Sequence, residues 1–388
     1  MSHRHLRALA ALTSAALLAL TACSAPESAE SSASRDDAKS DIALEMNELI
    51  EQHSATPAFE APGPAVDAAS LAGKTIAIVA IDLRVPTIAD VAANAQEAAK
   101  MLGIKTTVFD AKSQATLMQQ GMQQAIDNRA DAIISDGLVM QVVAGQIKNA
   151  KNKGIPTIDV VNSPPVADVP GQGSDPNIFG NVSPDADLGG RLMAAAAIAT
   201  TDGDAHVQVM NTSELTAAAA IVGSIESAVE ECDTCELAET TDTALNDWST
   251  QIPGLVATQI RSNPGVNFIL PIYDAMGIFA TTGVQQAAAT GKVRIVSQDG
   301  SPAALALVKQ GDVFVADVAK SSAWAAWAAV DQAMRGMLDM EPANPVLPIR
   351  YVDAAALKDV DTSTSASVDA ALFGPGYRDG YKELWGLS

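Results

Sequence analysis

Polar side chains that could do chemistry recur at one kind of place in this chain: the last residues of short runs rich in Ile, Val and Ala. Asp82 and Arg84 follow KTIAIVAI, Asp136 closes DAIISDG, and Asn162 closes IPTIDVVN. Further on, Asn211 closes HVQVMN, Asp242 closes LAETTDT, Tyr273 and Asp274 close NFILPIY, and Asp299 closes VRIVSQD. Chains turn at strand ends, so one polar residue there means little. A set that recurs through both halves of the chain points instead to a polar cleft, because ligands of open parallel sheets bind beyond the carboxyl ends of the strands. Each residue also has a plainer role. Asp82 and Asp136 suit the caps of the helices that follow, and Arg84 suits the surface.

Other chemistries find little support. GKT at 73–75 resembles a phosphate loop, but Ala68 stands where that loop needs a Gly, and the motif precedes a strand rather than following one. GQGSDPNIFG lacks the GxGxxG spacing, and no GxSxG elbow occurs. Beyond the first residues only His53 and His206 remain, too few for a metal triad or for His-based catalysis. The pair Cys232 and Cys235 in ECDTCEL suits a structural disulfide or free thiols better than redox or zinc chemistry, since it lies between a helix pattern and a strand. No metal, cofactor or enzymatic activity is expected.

The elements that must position these residues alternate in type. TIADVAANAQEAAKMLG, SQATLMQQGMQQAIDN and QVVAGQIKNAKNKG have helical spacing between the strands at Lys74, Lys105, Asp131 and Ile155. The Pro/Gly-rich SPPVADVPGQGSDPN interrupts the pattern at 163–177. Alternation then resumes, with helices expected over 186–200, 216–231, 249–262 and 275–289. Strand–helix alternation with short links means parallel sheets covered on both faces, each set doubly wound: an α/β protein of two similar lobes.

The N-terminus bears on where the protein works. Arg4 and Arg7 precede 15 uncharged residues from Ala8 to Ala22, short of the roughly 20 that span a bilayer. A basic start, a short apolar core and small residues at its end describe an export signal. Leu20-Thr21-Ala22-Cys23 resembles the lipobox of bacterial lipoproteins. That resemblance implies removal of a lipoprotein signal peptide, 1–22, and acylation of Cys23, as with palmitate. The chain would then be exported and lipid-anchored at the outer face of the cytoplasmic membrane, in the periplasm or cell wall space. Residues 24–72 carry ten acidic and two basic residues, and 23–72 is expected to be an acidic flexible tether with at most a short helix from Ile42 to Ile50. The full chain has a net charge of −22. Such a chain is a poor partner for nucleic acid, whose phosphates need Lys and Arg.

The ordered series TIAIVAIDLRVPTIADVAANAQEAAKMLGIKTTVFDA, DAIISDG, KNKGIPTIDVVN, SPDADLGGRLMAAAA, NPGVNFILPIYDAMGIFA and VRIVSQDGSPAALALVKQGDVFVADV resembles the ribose-type (type 1) periplasmic solute-binding proteins of ABC importers. The ending YRDGYKELWGLS looks like the lengthened C-termini of their lipoprotein forms in actinobacteria. The resemblance implies two Rossmann-like lobes joined by a three-strand hinge, closing on a sugar or polyol that a permease then receives. It implies a monomer. It puts lobe 1 at 73–170 plus 320–345, and lobe 2 at 171–319 plus 346–388, with crossings near 165–180, 318–322 and 345. By position, Asp136, Asn162, Trp248, Tyr273 with Asp274, and Asp299 would meet the solute, with Asp82 and Arg84 adding polar contacts. Thr87 and Ile88 stand where stacking aromatics are usual, Ile221 where an Arg is usual, and Ala319 where a Gln is usual. These departures weigh against ribose itself and fit a polyol, another sugar or a ligand with a less hydroxylated face. Trp324 and Trp327, three apart on one helix, are expected to pack against a sheet, and Trp385 to anchor the C-terminus in a groove. The same lobes could also present a ligand to a membrane receptor kinase.

Overall fold

Apolar runs without alternation suit strands covered on both faces, and the central strands have that burial. The computed structural model describes residues 29–163 and 175–387. After helix α1 (Ala29–Gln52) come β1 (Thr75–Ala80), α2 (Pro86–Met101), β2 (Lys105–Asp110), α3 (Ala115–Asp127), β3 (Ala132–Asp136), α4 (Met140–Asn152), β4 (Thr157–Val160) and β5 (Gly180–Pro184). The second series is α5 (Ala186–Thr200), β6 (His206–Asn211), α6 (Ala218–Glu230), β7 (Glu236–Asp242), α7 (Trp248–Ser262), β8 (Phe268–Pro271), α8 (Asp274–Gln286), β9 (Arg294–Asp299), α9 (Pro302–Gln310) and β10 (Phe314–Lys320). The chain ends with α10 (Ser322–Met337), β11 (Val346–Leu347), β12 (Ile349–Asp353), α11 (Ser365–Leu372) and α12 (Gly376–Leu384).

Two sheets form among the described residues, ordered β11-β5-β4-β3-β1-β2 and β12-β10-β9-β8-β6-β7. All pairings are parallel except that of β12 with β10. Every residue of β3 and of β8 is buried. The polar edge strands β2 and β7 have no fully buried residue, as edges that must not recruit another chain should. The expected α/β architecture of two doubly wound lobes is therefore present.

The chain crosses between sheets three times. The first crossing falls between Pro184 and Ala186, later than the expected 165–180, because β5 pairs with β4 and completes the first sheet. The second lies between Lys320 and Ser322. The third is the step from β11 to β12 at Pro348. The boundary of lobe 1 at 170 is thus too early.

The tether expectation needs a larger correction. The export signal and Cys23 lie outside the described residues, but residues 41–72 lie on the body. Met46 is fully buried, and α1 packs on α5. The backbone carbonyl of His53 accepts from Tyr351 N–H at 2.8 Å, and Val66 N–H donates to the Leu384 carbonyl at 2.9 Å. The acidic average of this segment hides its apolar residues Ile42, Met46, Phe59, Val66 and Leu71, which find grooves on the body to fill.

Phe59 docks in an aromatic collar. On α10, Trp327 stacks on Trp385 at 5.2 Å between ring centroids, and Trp324 stacks on Tyr377 at 4.7 Å. Phe59 closes the set edge-on against Tyr381 at 5.0 Å. Beneath them Asp331 takes Arg335 Nε at 2.7 Å and Trp385 Nε1 at 3.0 Å. The residues after β12 therefore fold back onto α10, which itself lies on β3, β4 and β5 of lobe 1, instead of extending lobe 2. Cys232 and Cys235 form a disulfide just before β7.

Candidate functional site

The strand ends of both lobes face one space. From lobe 1 come Ile81 after β1, Thr87 and Ile88 at the start of α2, Gly137 after β3, and Val161 and Asn162 after β4. From lobe 2 come Leu215 after β6, Leu245 and Trp248 after β7, Tyr273 after β8, Asp299 and Lys320. A smaller space adjoins it on the hinge side, sharing Val161, Tyr273 and Lys320 and adding Ser163, Ser183, Ile221 and Gln298. The room within them is about 80 Å³ and about 10 Å³, less than the few hundred Å³ of a usual small-molecule site.

Local backbone explains how the polar groups meet. Gly300 has φ +75°, and a Cβ there would lie 2.8 Å from Ala319 Cβ. Only glycine allows β9 to turn away so close to β10, and that turn sets Asp299 against Lys320, with Nζ to carboxylate 2.7 Å. Asp299 itself has φ 143° and Val161 φ 58°. Such values are costly for residues with a Cβ, of order 1–3 kcal/mol each, and cluster at functional sites. Both residues border the gap, one in each lobe.

Four of the eight residues expected to meet a solute line this space: Asn162, Trp248, Tyr273 and Asp299. Asn162 donates to the Leu138 carbonyl, which fixes the loop after β4. Trp248 stacks on Tyr273 with centroids 6.3 Å apart, and its indole N–H donates to the Thr243 carbonyl at 3.3 Å. The edge of that indole is therefore occupied and its face is what remains. Lys320 Nζ lies 5.8 Å from the Tyr273 ring centroid. Burial pushes the Asp299 carboxyl up from its ordinary range while the Lys320 charge pulls it down. Burial likewise raises the Tyr273 hydroxyl, so the phenol stays neutral.

The other four do not line it. Arg84 forks onto Asp82, Nε at 2.9 Å and Nη2 at 2.6 Å, and the Ser113 hydroxyl donates to the same carboxylate at 2.8 Å. The Arg84 guanidinium beside Asp82 holds that carboxyl below its ordinary value. With its side chain 75% exposed, Arg84 braces the loop after β1. Asp136 is fully buried with neither oxygen hydrogen-bonded, and its neighbour Gly137 faces the gap instead. Burial, reinforced by Asp159, drives the Asp136 carboxyl well above its usual range. Asp274 ties α8 to the loop after β9, accepting from Ser301 N–H at 2.7 Å and from the Ser297 hydroxyl.

Sequence reasoning missed Lys320, Ser163, Ser183 and the apolar wall. Lys320 was within reach: it ends VFVADVAK as Asp299 ends VRIVSQD, and the same strand-end rule selects it. The Leu residues carry no such signal, because an apolar residue in a loop does not say what it faces. Among the departures from the ribose-type pattern, Thr87 and Ile88 line the main space and Ile221 the smaller one. Ala319 instead packs under Gly300. Among the described residues no group of three His, Cys, Asp or Glu side chains is set to hold a metal ion.

A second cavity lies behind the hinge, between Asp90, Ser301, Ser321, Ser365 and Arg378. Its charges are already spent within the protein. Arg378 pairs with Asp369 at 2.6 Å, and Asp369 also takes the Tyr377 hydroxyl at 2.9 Å and that of Ser321.

Solved structures share this architecture. A solute binding protein of a 5-methylthioribose transporter from Thermotoga lettingae, solved with 5-methylthioribose, is 19% identical, covers 80% of this chain and 96% of its own, and superposes with a TM-score of 0.68. An ABC transporter solute binding protein from Bacillus halodurans with bound myo-inositol is 17% identical, covering 74% of this chain and 97% of its own, TM-score 0.65. One from Actinobacillus succinogenes with bound D-allose is 22% identical, covering 74% and 99%, TM-score 0.64. No curated protein sequence matches the chain. The sequence does match the periplasmic binding protein domain over residues 64–337, a span that contains both sheets up to α10 and every lining residue of the gap. On that match and its two-lobed type 1 fold, the chain belongs to the periplasmic binding protein domain family.

Proposed function

We propose that this chain is an extracytoplasmic, lipid-anchored solute-binding protein. It captures a small solute of the sugar or polyol class between its lobes and hands it to the permease of an ABC importer. One observation carries the reading: strand ends of both lobes contribute to a single space that holds the Asp299–Lys320 pair, Asn162 and the faces of Trp248 and Tyr273. A carboxylate, an ammonium and an amide bond hydroxyl groups, and ring faces cover the C–H surface of a sugar. Relatives of the same fold hold myo-inositol and D-allose. The apo chain samples open forms, contacts from both lobes favour the closed form, and the permease reads closure. Asp82, Arg84, Asp136 and Asp274 shape the strand-end loops in this reading. Cys23 supplies the membrane tether, and the LTAC sequence supports that assignment.

A thermal-shift screen of the mature chain against sugars, polyols and small acids tests the reading. A true ligand at 100 times its dissociation constant adds about 2.7 kcal/mol of stability. Asp299→Asn should remove that shift while the apo protein still melts cooperatively. A screen in which only non-carbohydrate solutes bind would defeat the sugar reading. Cys23→Ser should release the protein from membranes to the soluble fraction.

A further inference from the structure

We infer that the solute held in this cleft is amphipathic: a hydroxylated end lies toward the hinge, and an alkyl or alkylthio substituent lies against an apolar wall away from it. This rests on the solute-binding reading above and narrows its ligand.

The main space has a mostly apolar lining, with Thr87, Asn162, Asp299 and Lys320 as its polar groups. Ile81, Val85 and Ile88 of lobe 1 face Leu215 and Leu245 of lobe 2 across the main space. Leu215 and Leu245 pack against the lobe 1 cluster that holds Ile81 and Ile88 as well as against the larger cluster that runs through both lobes, so the wall continues across the gap. Beside them Trp248 offers only its ring face, because its N–H is engaged with Thr243. A sugar with hydroxyls on every edge would bury several of them here without a partner, at about 1–3 kcal/mol for each group left unsatisfied.

Lys320 and Val161 line both spaces, and the smaller one adds the polar Ser163, Ser183 and Gln298 among the apolar Ala186, Ala217 and Ile221 beside the hinge crossing at Pro184. The Ser183 hydroxyl is buried, 1% exposed for the residue, and makes no hydrogen bond within the protein. A buried hydroxyl without a partner beside an ammonium and a carboxylate calls for the hydroxyls of a guest. An aromatic face with an aliphatic wall calls for carbon or sulfur.

Titration calorimetry on the mature chain with matched pairs tests this. The probes are ribose with 5-methylthioribose, glucose with its propyl glycoside, and myo-inositol with an O-methyl inositol. In at least one pair the substituted member should bind tenfold or more tightly than its parent. Leu245→Asn should bring that ratio toward one, and Ser183→Ala should weaken both members together. Circular dichroism checks that each variant is folded, and Leu215→Asn serves if Leu245→Asn is not. If parents bind as tightly as or more tightly than substituted members throughout, the amphipathic inference is overturned and the sugar-binding reading stands. If no member of any pair binds, both fall.

Discussion

The cleft and the collar are made of the same ingredients. Each has a buried acid paired with a cation at 2.7 Å, Asp299 with Lys320 and Asp331 with Arg335. Each sets the pair beside stacked rings, Trp248 on Tyr273 and Trp327 on Trp385. They differ in what is left over. In the collar Asp331 also takes Trp385 and Gln332, and Arg335 reaches the Pro64 carbonyl at 3.0 Å. The chain's own ends, α12 and the stretch around Phe59, fill the space. The collar leaves one buried donor, Trp327 Nε1, without a partner; in the cleft the rings stand farther apart, Ser183 has no partner, and two residues hold costly backbone angles. The cleft is set apart by space that the chain does not fill and by strained backbone, not by residue type.

If the collar is finished core, breaking it should cost stability and leave recognition alone. Trp327→Ala is expected to lose about 3–5 kcal/mol in urea unfolding, the largest effect foreseen, with the preference among solutes unchanged. Altered solute preference in that variant would merge the two regions and break the contrast.

The buried acids of lobe 1 should show themselves as a pH dependence. Burial pushes the Asp159 carboxyl up to about 7, against the pull of Ser163 and Asn181. An acid whose folded value is raised contributes stability below its unfolded value, near 4, and loses it as pH rises through the folded value. Stability should therefore fall between about pH 4 and pH 7, by about 1.4 kcal/mol for each unit of displacement. Asp159→Asn should flatten that slope in melts taken across the window. An unchanged slope would move its origin to other buried acids and weaken the contrast.

The disulfide belongs to neither region and calibrates the rest. It closes a loop of only four residues, Cys232 to Cys235. Chain entropy then limits its contribution to about 2 kcal/mol. Cys232→Ala with Cys235→Ala should lower stability by no more than that and leave solute affinity intact.

Much of this was legible in the chain. Unbroken Ile/Val runs between helical patterns require covered parallel strands, and four expected helices appear within three residues of their predicted ends, Ala186–Thr200 among them. The strand-end rule found Asn162, Tyr273 and Asp299 because any residue there must face the gap or the loop beside it. It could not separate those two outcomes. Asp82 turned to Arg84 and Asp274 to Ser301, and only the folded loops show it. Composition misread residues 41–72, since an acidic average conceals apolar residues that need only a groove to dock.

The order and type of elements were thus determined by the sequence alone, because hydrophobic periodicity and turn chemistry act over a few residues at a time. The site's character was decided by tertiary structure. Leu215 and Leu245 become a wall, Lys320 a partner of Asp299, and Trp385 a plug in the collar through contacts between residues distant along the chain. Pairing over such distances depends on how two lobes and two chain ends meet, and no local pattern of residues encodes it.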